Sequence, residues 1–141
     1  MANNNLSKAR KSPNDEFYTL LDDVFREVVM YKNQLKDKIV YCNCDDSSSA
    51  FLYFFMTYFH LLGLKKLYCT GIAGWCIEFD GLRKKKYRVN GDFRSSDCLE
   101  ILEKCNIVIT NPPFSLFIEF IQLISGKDFL VIGNKNGSSQ E

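Results

Sequence analysis

The stretch Asn106–Leu116, NIVITNPPFSL, decides how this chain is read. Four β-forming residues, Ile107 to Thr110, run into an Asn, two prolines and a Phe. The chain holds only three prolines, and two of them stand here. A residue before proline is pushed to extended geometry, and each proline fixes its own φ. Asn111-Pro112-Pro113 therefore predicts a rigid outward bend at the carboxyl end of a buried strand. The following FSLFIEFIQLIS has helical spacing and stops at Gly126.

The same alternation extends in both directions. Upstream, Leu20, Leu21, Val24, Phe25 and Val28 recur at helical spacing, and Thr19 with Asp22 forms a T-x-x-D capping box. This predicts a helix from Thr19 to about Asn33 or Leu35. KIVYCNC (38–44) is an apolar run rich in β-formers, so a buried strand. DDSSS follows as a turn and cap, and the apolar helix after it ends near Gly63, a natural C′ residue. KKLYCT is a second strand. GWCIEFDGLRKKKYRV predicts two strands around an Asp80-Gly81 turn. GDFRSSDCLEILEKC is a turn and a helix that starts at Ser95 or Ser96. DFLVIG is a fourth buried strand. Strands alternating with helices define an α/β, doubly wound, mainly parallel sheet with helices on both faces. Residues 1–13 are polar and basic and read as a flexible arm, and 14–141 as one domain.

Composition narrows the function classes. With 46% hydrophobic and 25% charged residues the chain is globular. A net charge of +1 gives no global attraction to nucleic acid or acidic membranes, so anion binding rests on local patches. The six cysteines include no CxxC pair, and there is one His. That pattern predicts reduced cysteines packed as small hydrophobes in the cytoplasm, with no metal site. MANNNLSKARKSPNDE lacks the apolar core of a signal peptide. The apolar segment Ala50–Leu64 falls short of the ~20 residues a membrane span needs. His60 and the aromatics Phe51–Phe59 inside it are expected to pack.

Ligands of doubly wound sheets bind beyond the carboxyl ends of the strands, where strand order reverses. Three polar turns, CDDSSS, GDFRSS and NPPFS, follow strands and are expected to gather at that edge. The Asn111 amide oxygen and the Pro112 carbonyl can face one space. Two such acceptors suit a planar NH₂ group, hold both its protons, and turn the nitrogen lone pair toward an electrophile. Phe114 then serves as a flat lid for a base swung out of its stack. A planar NH₂ occurs on adenine in DNA or RNA and on a glutamine side chain, and the two acceptors serve each.

NDEFYT, KIVYCNCDD, LKKLYCT, GDFRSSDCLEILEKCNIVITNPPFSLF and FLVIGNKN, in that order, resemble the EcoRI-type adenine-specific DNA methyltransferases. The resemblance implies a Rossmann-like fold of the S-adenosylmethionine-dependent type and an enzyme of restriction-modification systems that methylates the N6 amine of adenine. It implies that Asn111, Pro112, Pro113 and Phe114 are the catalytic tetrapeptide. Asp92 would accept from the cofactor's adenine amine, Phe93 would pack on that ring, and Phe17 and Thr19 would lie near the methionine moiety. The implied substrate is DNA with a flipped adenine.

Two departures from the family pattern stand out. The turn after the first strand has no glycine, so Asp45 or Asp46 meets the cofactor's ammonium or simply caps the turn. The second strand ends in Thr70 rather than an acid, so the ribose contact stays unassigned. RKKKYR makes Arg83, Lys84, Lys85 and Lys86 either phosphate contacts or a solvated hairpin. Family members carry further strands and a target-recognition region after the NPPF helix, and nothing in this chain corresponds to them. A split enzyme with a second polypeptide, or a truncated and inactive fragment that keeps binding, both fit that pattern.

Overall fold

A computed structural model describes residues 13–43, 50–111, 115 and 117–132. Its centre is a six-stranded sheet in the order β4-β3-β2-β1-β5-β6. The strands are β1 (Ile39–Cys42), β2 (Lys66–Gly71), β3 (Trp75–Phe79), β4 (Lys84–Arg88), β5 (Ile107–Thr110) and β6 (Asp128–Val131). β1, β2, β5 and β6 pair in parallel, and β3 and β4 form an antiparallel hairpin beyond β2. Strand order reverses between β1 and β5: the chain steps one way from β1 to β2–β4 and the other way to β5 and β6.

The helices are α1 (Pro13–Val29), α2 (Ala50–Thr57), α3 (Phe59–Leu62), α4 (Ser96–Lys104) and α5 (Phe117–Ile124). Alternation along the strands sorts them onto two faces, because successive side chains of a strand point opposite ways. Val40, Cys42, Leu67, Cys69 and Ile77 face Val24 and Val28 of α1 and Phe51, Phe54 and Phe55 of α2. Tyr41, Tyr68, Cys76 and Val108 face Ile101 of α4 and Phe120 and Ile124 of α5. Phe54, Phe55 and Phe120 are at most 1% exposed. Each such side chain contributes about 1.5–3 kcal/mol of transfer free energy. The Tyr41 hydroxyl deep in this second face is satisfied, since Tyr41 and Thr70 share a hydrogen bond of 2.8 Å. Burial drives the Tyr41 hydroxyl far above its ordinary pKa.

Several expectations are corrected. α1 begins at Pro13, six residues before Thr19, so Thr19 is an interior helix position and not a cap. Proline is suited to the first helical position, where its missing N–H loses no bond. α1 stops at Val29, and a 3-10 turn, Lys32–Gln34, continues toward the buried Leu35. The apolar helix is interrupted at Tyr58 and then ends at Gly63, whose left-handed φ of 70° closes it. β6 is not a buried strand: it is half-exposed, with Phe129 41% exposed, and it stands at the sheet edge. His60 is exposed rather than packed, and its Nε2 lies 2.9 Å from the Gly81 carbonyl, which ties α3 to the hairpin turn. In that turn the Asp80 carboxylate accepts from the Leu82 and Arg83 amides at 2.9 and 2.7 Å. The helix start at Ser96 is as expected, and the Ser95 hydroxyl caps it by accepting from Cys98 N at 3.2 Å.

Candidate functional site

The carboxyl ends of β1 and β5 lie side by side at the reversal of strand order. Val40 pairs with Ile107 and Tyr41 with Val108, so Asn43, just past β1, falls level with Thr110, the last residue of β5. The Thr110 hydroxyl donates to the Asn43 carbonyl, and both residues are 1% exposed. The Thr110 carbonyl accepts from Ile132 N at 2.9 Å, which adds β6 to the same anchor. Asn111 follows immediately and is half-buried. The side-chain oxygen of Asn43 is buried and has no hydrogen-bond partner among the described residues. Leaving such an acceptor unsatisfied costs about 1–3 kcal/mol. An amide held in this way at a strand end is set to accept from a cationic or N–H donor arriving at the edge.

The GDFR turn reaches the same edge from β4. Val89 N donates to the Gly74 carbonyl at 3.2 Å, and Gly91 then lies directly on the end of β2. A Cβ at position 91 would stand 1.8 Å from the Gly71 carbonyl oxygen and 2.7 Å from its carbon. Only glycine permits that approach, and it places Asp92 over the strand ends. The Asp92 carboxylate accepts from the Arg94 side chain, Nε to Oδ1 at 2.9 Å and Nη2 to Oδ2 at 2.8 Å, and from the Arg94 amide at 2.8 Å. These bonds hold its carboxyl at about 2, below the usual 3.8. The third guanidinium nitrogen, Nη1, reaches Glu119 of α5 at 3.2 and 3.3 Å.

Phe93 is 5% exposed, with its ring edge-on to Phe120 at 5.3 Å and the Arg94 guanidinium 5.2 Å from its centroid. Phe17 and Thr19 lie within α1. Asp45, Pro112, Pro113 and Phe114 lie outside the described residues. Arg83 belongs to the hairpin turn, and Lys84, Lys85 and Lys86 are exposed on edge strand β4. Lys86 sits 5.8 Å from the Trp75 ring. Thr70 is fully buried between Tyr41 and Cys98 and so belongs to the core.

Asn43, Gly91, Arg94 and Thr110 escaped the sequence reading. An amide inside the apolar run YCNC and a glycine directly before the acid of GDF were the available signals. Among the described residues, no group of three His, Cys, Asp or Glu could hold a metal ion. Cys42, Cys69, Cys76, Cys98 and Cys105 are buried free thiols. Burial pushes the Cys76 and Cys105 thiols up to about 11. No described helix is long and apolar enough to cross a membrane.

Comparison with known proteins adds a family. A family described as "Adenine-specific methyltransferase EcoRI" matches residues 5–80 and 74–139. The chain is similar to the Type II methyltransferase M.MpnI of Mycoplasma pneumoniae, 43% identical over 141 residues that cover 94% of this chain and 44% of that protein. It is also similar to the Type II methyltransferase M.EcoRI of Escherichia coli, 40% identical over 158 aligned residues covering 93% of this chain and 48% of that one. The chain thus spans a little under half the length of these curated relatives. No solved structure matches it. With nearly its whole length matched, the chain belongs to the EcoRI family of adenine-specific methyltransferases.

Proposed function

We propose that this chain carries the cofactor-binding and amine-binding machinery of a DNA methyltransferase that acts on the exocyclic N6 amine of adenine. It works either alone or with a second polypeptide that supplies the rest of the fold and reads the target sequence. The sheet is then the first part of a Rossmann-like methyltransferase domain, working in the cytoplasm. The observation that carries the reading is Asn111, half-buried just past β5 and anchored through Thr110 to the end of β1.

S-adenosylmethionine, when bound, supplies the methyl group. The residues at the sheet edge fit that cofactor: the Asn43 oxygen, without a partner among the described residues, suits its ammonium, and the Asp92 carboxylate suits its adenine amine. Phe93 backs the turn from within the core, and Phe17, Thr19 and Asp45 complete the cofactor site. The Asn111 side-chain oxygen and the Pro112 carbonyl accept from the two N–H groups of the target amine. That holds the amine's protons away from the incoming methyl group and exposes the nitrogen lone pair. Pro113 keeps the turn rigid, and Phe114 stacks on the extruded base. Arg83, Lys84, Lys85 and Lys86 give the DNA backbone sequence-independent contacts.

The test is methyl transfer from labelled S-adenosylmethionine to DNA, RNA and a glutamine-bearing peptide. The chain is assayed by itself and together with the remaining half of the Mycoplasma pneumoniae relative. Incorporation into adenine of DNA is expected, and Asn111→Ala should lower the rate by about 10²–10³ while leaving cofactor affinity unchanged. Wild-type turnover in Asn111→Ala would reduce the motif to a rigid turn. Cofactor binding without transfer in any combination would make the chain a binding module.

A further inference from the structure

We propose that Arg94 is a positioning residue that fixes the open lone pair of Asp92 and ties the GDFR turn to the helix that follows the NPPF loop. The inference rests on the reading of Asp92 and Asn111 given above and extends it to a residue outside both motif roles.

The geometry carries it. A carboxylate offers about four lone-pair sites. Three on Asp92 are taken, two on Oδ1 by the Arg94 amide and Nε, and one on Oδ2 by Nη2. Among the described residues one site on Oδ2 stays open, and a single N–H of an amino group fills it. The direction of that site is set by the planar fork, since both carboxylate oxygens are held at once. The same guanidinium reaches Glu119 in the first turn of α5, at 3.2 and 3.3 Å, and lies over the Phe93 ring. Its three nitrogens are therefore all engaged, and they join the cofactor turn to the helix that begins five residues after Pro112. Asn90 completes the surroundings: its side chain accepts from Asp92 N at 3.1 Å, and its amide donates to Asp97 of α4 at 2.8 Å.

Stability does not explain the arrangement. The side chains of Arg94, Asp92 and Glu119 are 42%, 34% and 49% exposed, and ion pairs this open contribute little to folding. A long side chain held by two segments at once does more for geometry than for stability.

The experiment compares Arg94→Lys, Glu119→Gln and Asp92→Ala in the full chain, with S-adenosylmethionine as the calorimetric probe and thermal unfolding as the folding control. Lysine keeps the charge but cannot fork. Arg94→Lys is expected to weaken cofactor binding about tenfold with little change in Tm. In the same variant the Asp92 carboxyl, followed by NMR titration, should move up from about 2 toward its usual 3.8. Glu119→Gln should keep cofactor affinity within about twofold and lower the methyl-transfer kcat about tenfold, because the tie to α5 loses its charge and one of its two acceptor oxygens. Wild-type affinity in Arg94→Lys beside weakened Asp92→Ala would overturn the inference and leave the Asp92 reading intact. Wild-type affinity in Asp92→Ala would overturn both. Unchanged kcat in Glu119→Gln would overturn the tie to α5.

Discussion

Replacing Gly91 by alanine tests how the cofactor turn is seated. The added Cβ would stand 1.8 Å from the Gly71 carbonyl oxygen, 2.7 Å from the Gly71 carbon and 3.1 Å from the Gly74 nitrogen. All three are backbone atoms, and the Gly71 atoms belong to β2, which is paired on both sides. No side chain can swing away to make room. Going from 1.8 Å to the 3.0 Å below which real Cβ contacts are essentially absent takes about 1.2 Å of displacement, in an interior that resists compression. The turn, which among the described residues pairs with no strand, moves rather than the doubly paired β2, and Asp92 moves with it. Overpacking of this kind costs about 1–3 kcal/mol. For a domain of this length that corresponds to a Tm lower by roughly 3–12 °C. A carboxylate misplaced by about 1 Å should also cost on the order of 10² in function that depends on its position. Thermal unfolding and calorimetry with S-adenosylmethionine measure the two effects separately. A Gly91→Ala chain with wild-type Tm and wild-type affinity would refute the packing of this turn on β2.

The anchor between β1 and β5 makes a second expectation. Thr110→Val removes the hydroxyl that satisfies the Asn43 carbonyl and should lose about 1–3 kcal/mol in chemical denaturation. Thr110→Ser should retain most of that stability, and equal stability of the Val and Thr forms would remove the anchor. The hairpin supplies a pH test. Burial raises the Glu78 carboxyl, but hydrogen bonds from Tyr87 and Lys66 outweigh it and leave the folded pKa below 4.5. A lowered folded pKa stabilises above the unfolded value and is lost as pH falls through the folded one. Stability should therefore drop below about pH 4.5 in the wild type and follow a shallower slope in Glu78→Gln, read from Tm against pH.

What the sequence made legible follows from which physical signals are local. The β1, β2 and β5 cores are runs of β-formers with both faces covered, so their burial was readable from composition alone. The Asp80-Gly81 turn and the start of α4 at Ser96 rest on short-range hydrogen bonds and were readable because those signals are local. Thr19 misled because a capping box is a four-residue pattern, whereas Pro13 started the helix six residues earlier. DFLVIG misled because its composition matches a buried strand, but burial of β6 depends on what lies beyond it in the sheet order. Thr70 and Thr110 are alike in sequence, each at the carboxyl end of an apolar run. One turns into the core toward Tyr41 and the other clamps Asn43, a difference set only by register. Arg94 was out of reach because its partners, Asp92 and Glu119, are brought together by the crossover through α4 and β5.

The register between β1 and β5 also sets where Asn111 stands. Neighbouring strands lie about 4.8 Å apart. Asn43 follows β1, Thr110 closes β5 level with it, and Asn111 is the next residue along. An acceptor suited to a cofactor's ammonium and an acceptor suited to a target amine thus begin on adjacent strand ends. Methyl transfer needs the reacting atoms about 3–3.5 Å apart and aligned. Adjacent strands at a reversal of order are the place in an open sheet where helices depart to opposite faces and leave such a gap. A flexible loop leaving β5 would let Asn111 wander across it. Two fixed φ angles remove that freedom on the downstream side, and the Thr110 hydroxyl removes it on the upstream side. On the proposed reading, the chain places two of its three prolines at the strand end where an error of an ångström would separate cofactor from target amine.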